Sequence, residues 1–490
     1  MYISDFSLND FRSYQEVVVN FDPGVIALIG ANGQGKTNLV EAVEYLSTFS
    51  SHRVAADTAL VRQGASAAVV RARVHTDQRS NLLELEILSG KANRARINRG
   101  SVRPAQMLGM VRTVVFAPED LALVSADPSV RRRFLDSLMV QKYPRMRAVK
   151  GDYEKVLKQR AALLKSAGKI RRRGGNFDTA ALDVWDQQLI TLGAQIIQVR
   201  SDIISQLRDP VARYYRDVSG QEQARARIDY DANINHVSSW QLPDLTHLTD
   251  TQRAQNAANG APSGTGTEKL SPLDQPLDKS RNQLQDQIER AEREIAEREI
   301  WMSERTAIET ALAVALKEKR EREIEAGINL VGPHRDDLRL GLGSLPAKGY
   351  ASHGESWSYA LALKLACWQL LRSETWGMWD EGEEPILILD DVFAELDMHR
   401  RERLAALINE AQQVFITAAV GDDVPEQLHA TRYMVQAGTV TKIQSQTTQV
   451  MNDVTQIVSQ ISPKVAVQTS PQTRADGDGS DGDDAYEAYE

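Results

Sequence analysis

Residues 30–37 of this 490-residue chain read Gly30-Ala31-Asn32-Gly33-Gln34-Gly35-Lys36-Thr37, the pattern G-x-x-x-x-G-K-[ST]. Such a stretch constrains the fold around it. Its glycines let the backbone curl until successive N–H groups point at phosphate oxygens. It also demands a buried strand before it and a helix after it. Both are legible: Val25-Ile26-Ala27-Leu28-Ile29 is a short apolar strand, and a helix is expected over Asn38–Leu46. That helix offers its positive end to the same anion. Lys36 would reach the β- and γ-phosphates, and the Thr37 hydroxyl would bind Mg²⁺. ATP and Mg²⁺ are therefore the expected cofactors, with Gly30 through Thr37 as the nucleotide site.

A second apolar strand, Ile386-Leu387-Ile388-Leu389, ends in Asp390-Asp391. Asp390 is placed to hold Mg²⁺, and Asp391 to take a proton from the attacking water. Ser352-His353-Gly354-Glu355, before a predicted helix over Ser356–Leu371, resembles the S-x-G-Q signature of the ABC-type ATPases. Ala394-Glu395-Leu396-Asp397 looks like the D-loop of that class, with Asp397 its key carboxylate. The resemblance implies that Ser352 and Gly354 grip, in trans, the γ-phosphate of ATP held by a second copy. Two ATP molecules would then join an ATP-dependent homodimer.

The rest of the chain sorts into blocks. Short strands and helices characterise residues 1–128, where Val17–Phe21, Ala68–Thr76 and Leu82–Leu88 are further strands. Residues 129–327 are mostly helical. Leu182, Trp185, Leu189, Leu192, Ile196, Val199 and Ile203 form a heptad seam. A second seam over Asn282–Ile324 loses register around Arg298 before Ile308, Leu312 and Leu316, and the two helices are expected to pair antiparallel as an arm. Between them, residues 254–276 lack large apolar groups and are expected to be flexible. The α/β pattern returns over 328–446, including Gln413–Thr417 as a strand, and 447–490 is expected to be a disordered acidic tail. The fold class is α/β: an ABC-type, SMC-like ATPase head split by a helical arm.

Ordered along the chain, these segments resemble the RecF recombination and repair proteins of bacteria. Leu8-Asn9-Asp10-Phe11-Arg12-Ser13-Tyr14, Gly30–Glu41, Pro118-Glu119-Asp120-Leu121, Asp127-Pro128 with Arg131-Arg132-Arg133-Phe134-Leu135-Asp136, Gly332-Pro333-His334-Arg335-Asp336-Asp337-Leu338 and Leu389–Asp397 follow the family's motif order. The resemblance implies a slow ATP-driven clamp at gapped or junction DNA, single- or double-stranded. It implies RecR and RecO as partners, loading of the recombinase RecA as the outcome, and a nucleoid-associated location. Departures also matter. Glu355 stands where the signature often has Gln. Asp391 is one methylene shorter than the common Glu, and Thr417-Ala418-Ala419 follows Phe415-Ile416, whereas many ABC-type ATPases have a His after this strand. Both of the latter predict slow hydrolysis.

Charge argues in two directions. The net charge of −9 is mild evidence against a nucleic-acid partner. Yet Ala475–Glu490 holds seven acidic residues and no basic one, whereas Arg131–Arg173 holds fifteen basic residues against three acidic. Lys165, Lys169, Arg171, Arg172 and Arg173 are the expected DNA contacts, of the sequence-independent, salt-sensitive kind. The single cysteine, Cys367, excludes an internal disulfide and an all-cysteine zinc site and fits a reducing cytoplasm. No apolar run is long enough to span a bilayer, and the start lacks a signal-peptide pattern, so no membrane role is expected. A structural SMC-type chromosome ATPase is the alternative, but it needs a much longer coiled coil. A transporter subunit would carry its signature soon after the phosphate loop, whereas 316 positions separate Lys36 from Ser352.

Overall fold

A computed structural model describes residues 1–54, 56–76, 79–175, 177, 180–221, 225–236, 297–343, 345–372 and 384–443. The flexible segment expected at 254–276 and the acidic tail expected at 447–490 lie outside the described residues.

The chain opens with a hairpin, β1 (Tyr2–Phe11) and β2 (Tyr14–Asn20). Strand β3 (Gly24–Ile29) then feeds the phosphate loop and helix α1 (Lys36–Thr48). Strands β4 (Ala67–His75), β5 (Ser80–Leu88), β6 (Arg94–Ile97) and β7 (Gly100–Val102) follow. They join the first hairpin in an antiparallel sheet of order β2-β1-β4-β5-β6-β7. Its strands alternate buried and half-exposed residues, as a sheet with one covered face requires. After β8 (Thr113–Phe116) come helices α2 (Leu121–Ser125), α3 (Pro128–Lys142), α4 (Met146–Arg172) and α5 (Ala180–Ser219). Strand β9 (Ala226–Asp231), helix α6 (Arg305–Ala326), strands β10 (Asp337–Leu342) and β11 (Leu345–Pro346) and helix α7 (His353–Arg372) complete the middle. The last elements are β12 (Ile386–Asp390), α8 (Met398–Ile408), β13 (Gln413–Ala418), β14 (Thr431–Gln436) and β15 (Thr439–Lys442).

A second sheet has the order β15-β14-β3-β13-β12-β8, parallel except for β15. Strands β12 and β13 are buried at every position, which their unbroken apolar sequences require. Alternate residues of β3 serve two cores. Ile26 and Leu28 face α1 and the antiparallel sheet, while Val25, Ala27 and Ile29 face the helices on the other side. Each such buried Leu or Ile contributes roughly 1.5–3 kcal/mol.

Helix α5 spans 40 residues, about 60 Å at the usual rise. Its seam residues Leu182, Leu189, Ile196 and Ile203 are buried, but so are Ile190, Ala194, Ile197 and Ile204. The apolar face is wider than a coiled-coil seam because α5 packs against both α4 and α6, and further down against α7. The ion and polar pairs run antiparallel along α5: Lys142–Gln206 toward the end of α3, Arg160–Asp186 toward α4, and Arg208–Glu299, Gln198–Ser303 and Arg320–Asp186 toward the later segment. That later segment is helical over residues 297–303, breaks at Glu304 and resumes as α6. The expected register break thus falls a few residues beyond Arg298. Near the far end, Gly168 lets α4 approach α6 closely, since a Cβ there would come within 2.5 Å of the Ile324 carbonyl oxygen.

Candidate functional site

Strand order explains the site. The phosphate loop leaves the C-terminal end of β3, and Asp390-Asp391 leave the C-terminal end of β12. Strand β13 lies between them, with Thr417 in register with both Asp390 and Leu28. The Thr37 hydroxyl donates to Asp390 Oδ1 at 3.0 Å, and the Thr417 hydroxyl donates to the same oxygen at 2.6 Å. The Asp391 N–H in turn donates to Thr417 Oγ1 at 2.9 Å. Burial raises the Asp390 pKa, opposed by the two threonine hydrogen bonds.

Asp391 adopts a left-handed backbone, φ +57°. That costs a non-glycine residue roughly 1–2 kcal/mol, and such strain persists where surrounding structure holds it. Its Oδ1 is buried and accepts no hydrogen bond from the described residues. Lys36 donates from Nζ to the Gly30 carbonyl at 2.6 Å and to that of Ala31 at 3.2 Å. Burial lowers the Lys36 pKa, and Asp391 and Asp390 oppose that shift.

Two turns brace the loop. Tyr14, from the first hairpin, donates its hydroxyl to the Gly35 carbonyl at 3.1 Å, and Asn38 Nδ2 donates to Ser13 Oγ at 2.8 Å. On the other side, the Ala437 N–H, in the β14–β15 turn, donates to Gln34 Oε1 at 2.7 Å. A Cβ on Gly30 would strike the Val435 carbonyl oxygen, so that position takes only glycine. Arg12 makes a two-pronged pair with the fully buried Glu41 of α1, at 2.9 and 2.6 Å.

Ser352, Gly354 and Asp397 form a second group. Helix α7 begins at His353, one turn earlier than the expected Ser356, so Ser352 is its cap and Glu355 lies in its first turn. Asp397 caps α8 by accepting from the Arg400 N–H at 3.0 Å. The Arg400 side chain joins the two motifs, donating to Asp397 Oδ2 at 2.5 Å and to Ser358 Oγ of α7 at 3.1 Å. Arg400 belongs to no motif in the sequence; its place three residues after Asp397 is its local signal.

The motifs around Arg131 and Gly332 meet each other in the structure. Arg131 forks onto Asp337 at 2.8 and 2.9 Å, and Arg132 donates to the Asp336 carbonyl at 2.7 Å. Arg200 of α5 pairs with Asp136 at 2.6 Å and donates to the Pro333 carbonyl at 2.8 Å. Asp336 is buried and accepts from the Asn233 N–H at 2.7 Å and from the Tyr230 hydroxyl. These contacts correct the count of basic residues open to DNA. Arg131, Lys142 and Arg160 are buried within the protein. Arg160 alone holds Asp186 and Glu323 at 2.6 Å each and Asn329 at 2.8 Å. Lys165, Lys169, Arg171, Arg172 and Arg173 are exposed at the end of α4, with Arg171 paired to Glu321.

A phosphate loop and an acidic strand end flanking one central parallel strand, with the signature on a separate helix, define an ATPase head of the ABC type in its SMC-like form. Residues 2–444 match the family model described as RecF/RecN/SMC N terminal domain. The chain is 48% identical over 447 residues to the DNA replication and repair protein RecF of Beutenbergia cavernae, covering 90% of this chain and 100% of that one. It is likewise 48% identical over 445 residues to RecF of Streptomyces avermitilis, with 90% and 100% covered. The chain belongs to the RecF family. Its fold is similar to a solved structure of the recombination mediator protein RecF of the RecFOR pathway, described as RecF-ATPrS, with TM-score 0.69, 24% identity, and 90% and 98% covered. Among the described residues, no helix is long and apolar enough to cross a membrane.

Proposed function

We propose that this protein is an ATP-dependent, dimerising, DNA-binding switch of recombinational repair and replication restart. It recognises gapped or junction DNA, promotes recombinase loading together with RecR and RecO, and acts in the cytoplasm at the nucleoid. The observation that carries the reading is the convergence of Thr37 and Thr417 on Asp390, beside an Asp391 oxygen that has no partner among the described residues. These residues fit Mg·ATP: hard oxygen ligands from Thr37 and Asp390 suit Mg²⁺. Bound Mg²⁺ supplies charge neutralisation on the phosphates.

The chain's own residues do the rest. Amides of residues 30–36 and the Lys36 ammonium bind phosphate oxygens. Asp391 orients a water and takes its proton. Its short side chain, with no histidine in Thr417-Ala418-Ala419 where one commonly follows the strand, supports slow turnover suited to timing release rather than to driving motion. Ser352, Gly354 and Asp397 serve a second copy's nucleotide, so ATP favours the pair. The exposed cations at the end of α4 meet DNA phosphates.

The test is dimerisation, by sedimentation velocity, with and without ATP and gapped DNA, for wild type and Lys36→Ala. ATP should pair the wild type and leave Lys36→Ala single. Equal pairing under all conditions would sink the switch, and turnover above roughly 10 s⁻¹, a typical enzyme median, would contradict the timing role.

A further inference from the structure

The signature turn holds an acid of its own. Glu355 Oε2 accepts from the Ser352 N–H at 2.8 Å and from the Ser352 hydroxyl at 2.7 Å. The Glu355 N–H donates back to Ser352 Oγ at 3.3 Å. With Ser352 as the cap and Glu355 as the third residue of α7, this is a capping box. Capping does not require the charge, because glutamine closes the same box. The charge therefore has consequences beyond the cap. Its hydrogen bonds to Ser352 hold the Glu355 carboxyl below its usual range, so it is ionised at neutral pH.

The donors it occupies are the ones that the pairing reading above offers to a γ-phosphate. Two anions cannot share them without strong repulsion. An alternative partner stands close by. The Arg400 guanidinium lies against Gly354, where an added Cβ would come within 3.0 Å of it, and it attracts Glu355 electrostatically. Arg400 is itself held by Ser358 and Asp397, so its position is set by both motifs.

We propose that Glu355 is an internal anion occupying the signature's phosphate-binding turn, and that ATP on a second copy of this chain must displace it, toward Arg400, before two copies pair. The proposal rests on the pairing reading. Glu355 then sets the ATP concentration at which pairing begins, keeping the protein single until nucleotide is plentiful.

The test compares full-length wild type with Glu355→Gln by sedimentation velocity across an ATP titration in Mg²⁺. A thermal melt checks that both are folded. The Gln variant should pair at an ATP concentration roughly three- to tenfold lower, the size of one removed like-charge contact. Its affinity for a fluorescent ATP analogue, measured at protein concentrations too low for pairing, should match wild type. If wild type pairs with ATP and the Gln variant needs as much ATP or more, Glu355 is a helix cap only and the proposal fails. If wild type does not pair with ATP at all, the pairing reading fails first and takes this one with it.

Discussion

The Thr37 hydroxyl and the Asp390 carboxylate, 353 residues apart in sequence, meet at 3.0 Å. Thr417, between them in the sheet, donates to the same Asp390 oxygen and accepts from the Asp391 N–H. One threonine on the central strand thereby sets the orientation of both carboxylates. Asp390 is held by its side chain and Asp391 by its backbone.

Replacing that threonine isolates its role. Thr417→Val keeps the shape and removes the hydroxyl, leaving the Asp391 N–H without its partner. The expected cost is about 1–3 kcal/mol in denaturant unfolding. The Mg²⁺ concentration for half-maximal hydrolysis should rise several-fold, and a Mg²⁺ titration at saturating ATP checks it. An unchanged Mg²⁺ requirement would mean that Thr37 alone orients Asp390.

Asp391→Asn should separate binding from hydrolysis. Asparagine fits the same left-handed backbone but cannot take the proton. ATP binding should stay within about twofold of wild type, while hydrolysis falls by roughly a hundredfold or more. Single-turnover kinetics with radiolabelled ATP would measure both. An active Asp391→Asn variant would move the base elsewhere.

The basic end of α4 leads to a salt-dependent prediction. Neutralising Arg171, Arg172 and Arg173 together should weaken DNA binding and lower the slope of log K against log salt by about one per lost phosphate contact. Because Arg171 also pairs with Glu321, the slope should fall by less than three such contacts require. Fluorescence anisotropy at several salt concentrations reads it directly, and an unaltered slope would remove this cluster from the interface.

Two neighbours in one motif should respond to pH with opposite signs. Burial pushes Asp336 up to about 6, against the attraction of Arg200. Its folded form binds the proton more tightly than the unfolded chain, so this contribution is full below about 4 and is lost as pH rises through 6. Burial pushes His334 down to about 4. There the unfolded chain protonates first, so stability present above about 6.5 is lost as pH falls. Between pH 7 and 5, Asp336→Asn should therefore lose stability more steeply than wild type, and His334→Gln less steeply. Each difference should be on the order of 1–2 kcal/mol in urea titrations at the two pH values.

Much of this was legible in the sequence because it is local. The loop at Gly30–Thr37 requires its strand and helix, and β12 and β13 announce themselves by unbroken apolar runs. The helical seam at Leu182–Ile203 was visible, but not how many helices it meets, since heptad spacing reports a face and not a partner. Arg160 counts toward the basic run, because sequence carries no sign that Asp186 and Glu323 would come to meet it.

What the sequence determined alone is the chemistry at hand: a phosphate loop, two carboxylates at a strand end and a signature turn, each set by residues within about ten positions of one another. Only the tertiary structure decided which of these touch. It set β13 between β3 and β12, brought Thr417 onto Asp390, turned Glu355 back onto Ser352, and laid Arg400 between Gly354 and Asp397. The physical reason is range. Backbone curl and helix starts follow from near neighbours, whereas shared hydrogen bonds and ion pairs depend on strand order and helix packing, which burial of the whole core selects.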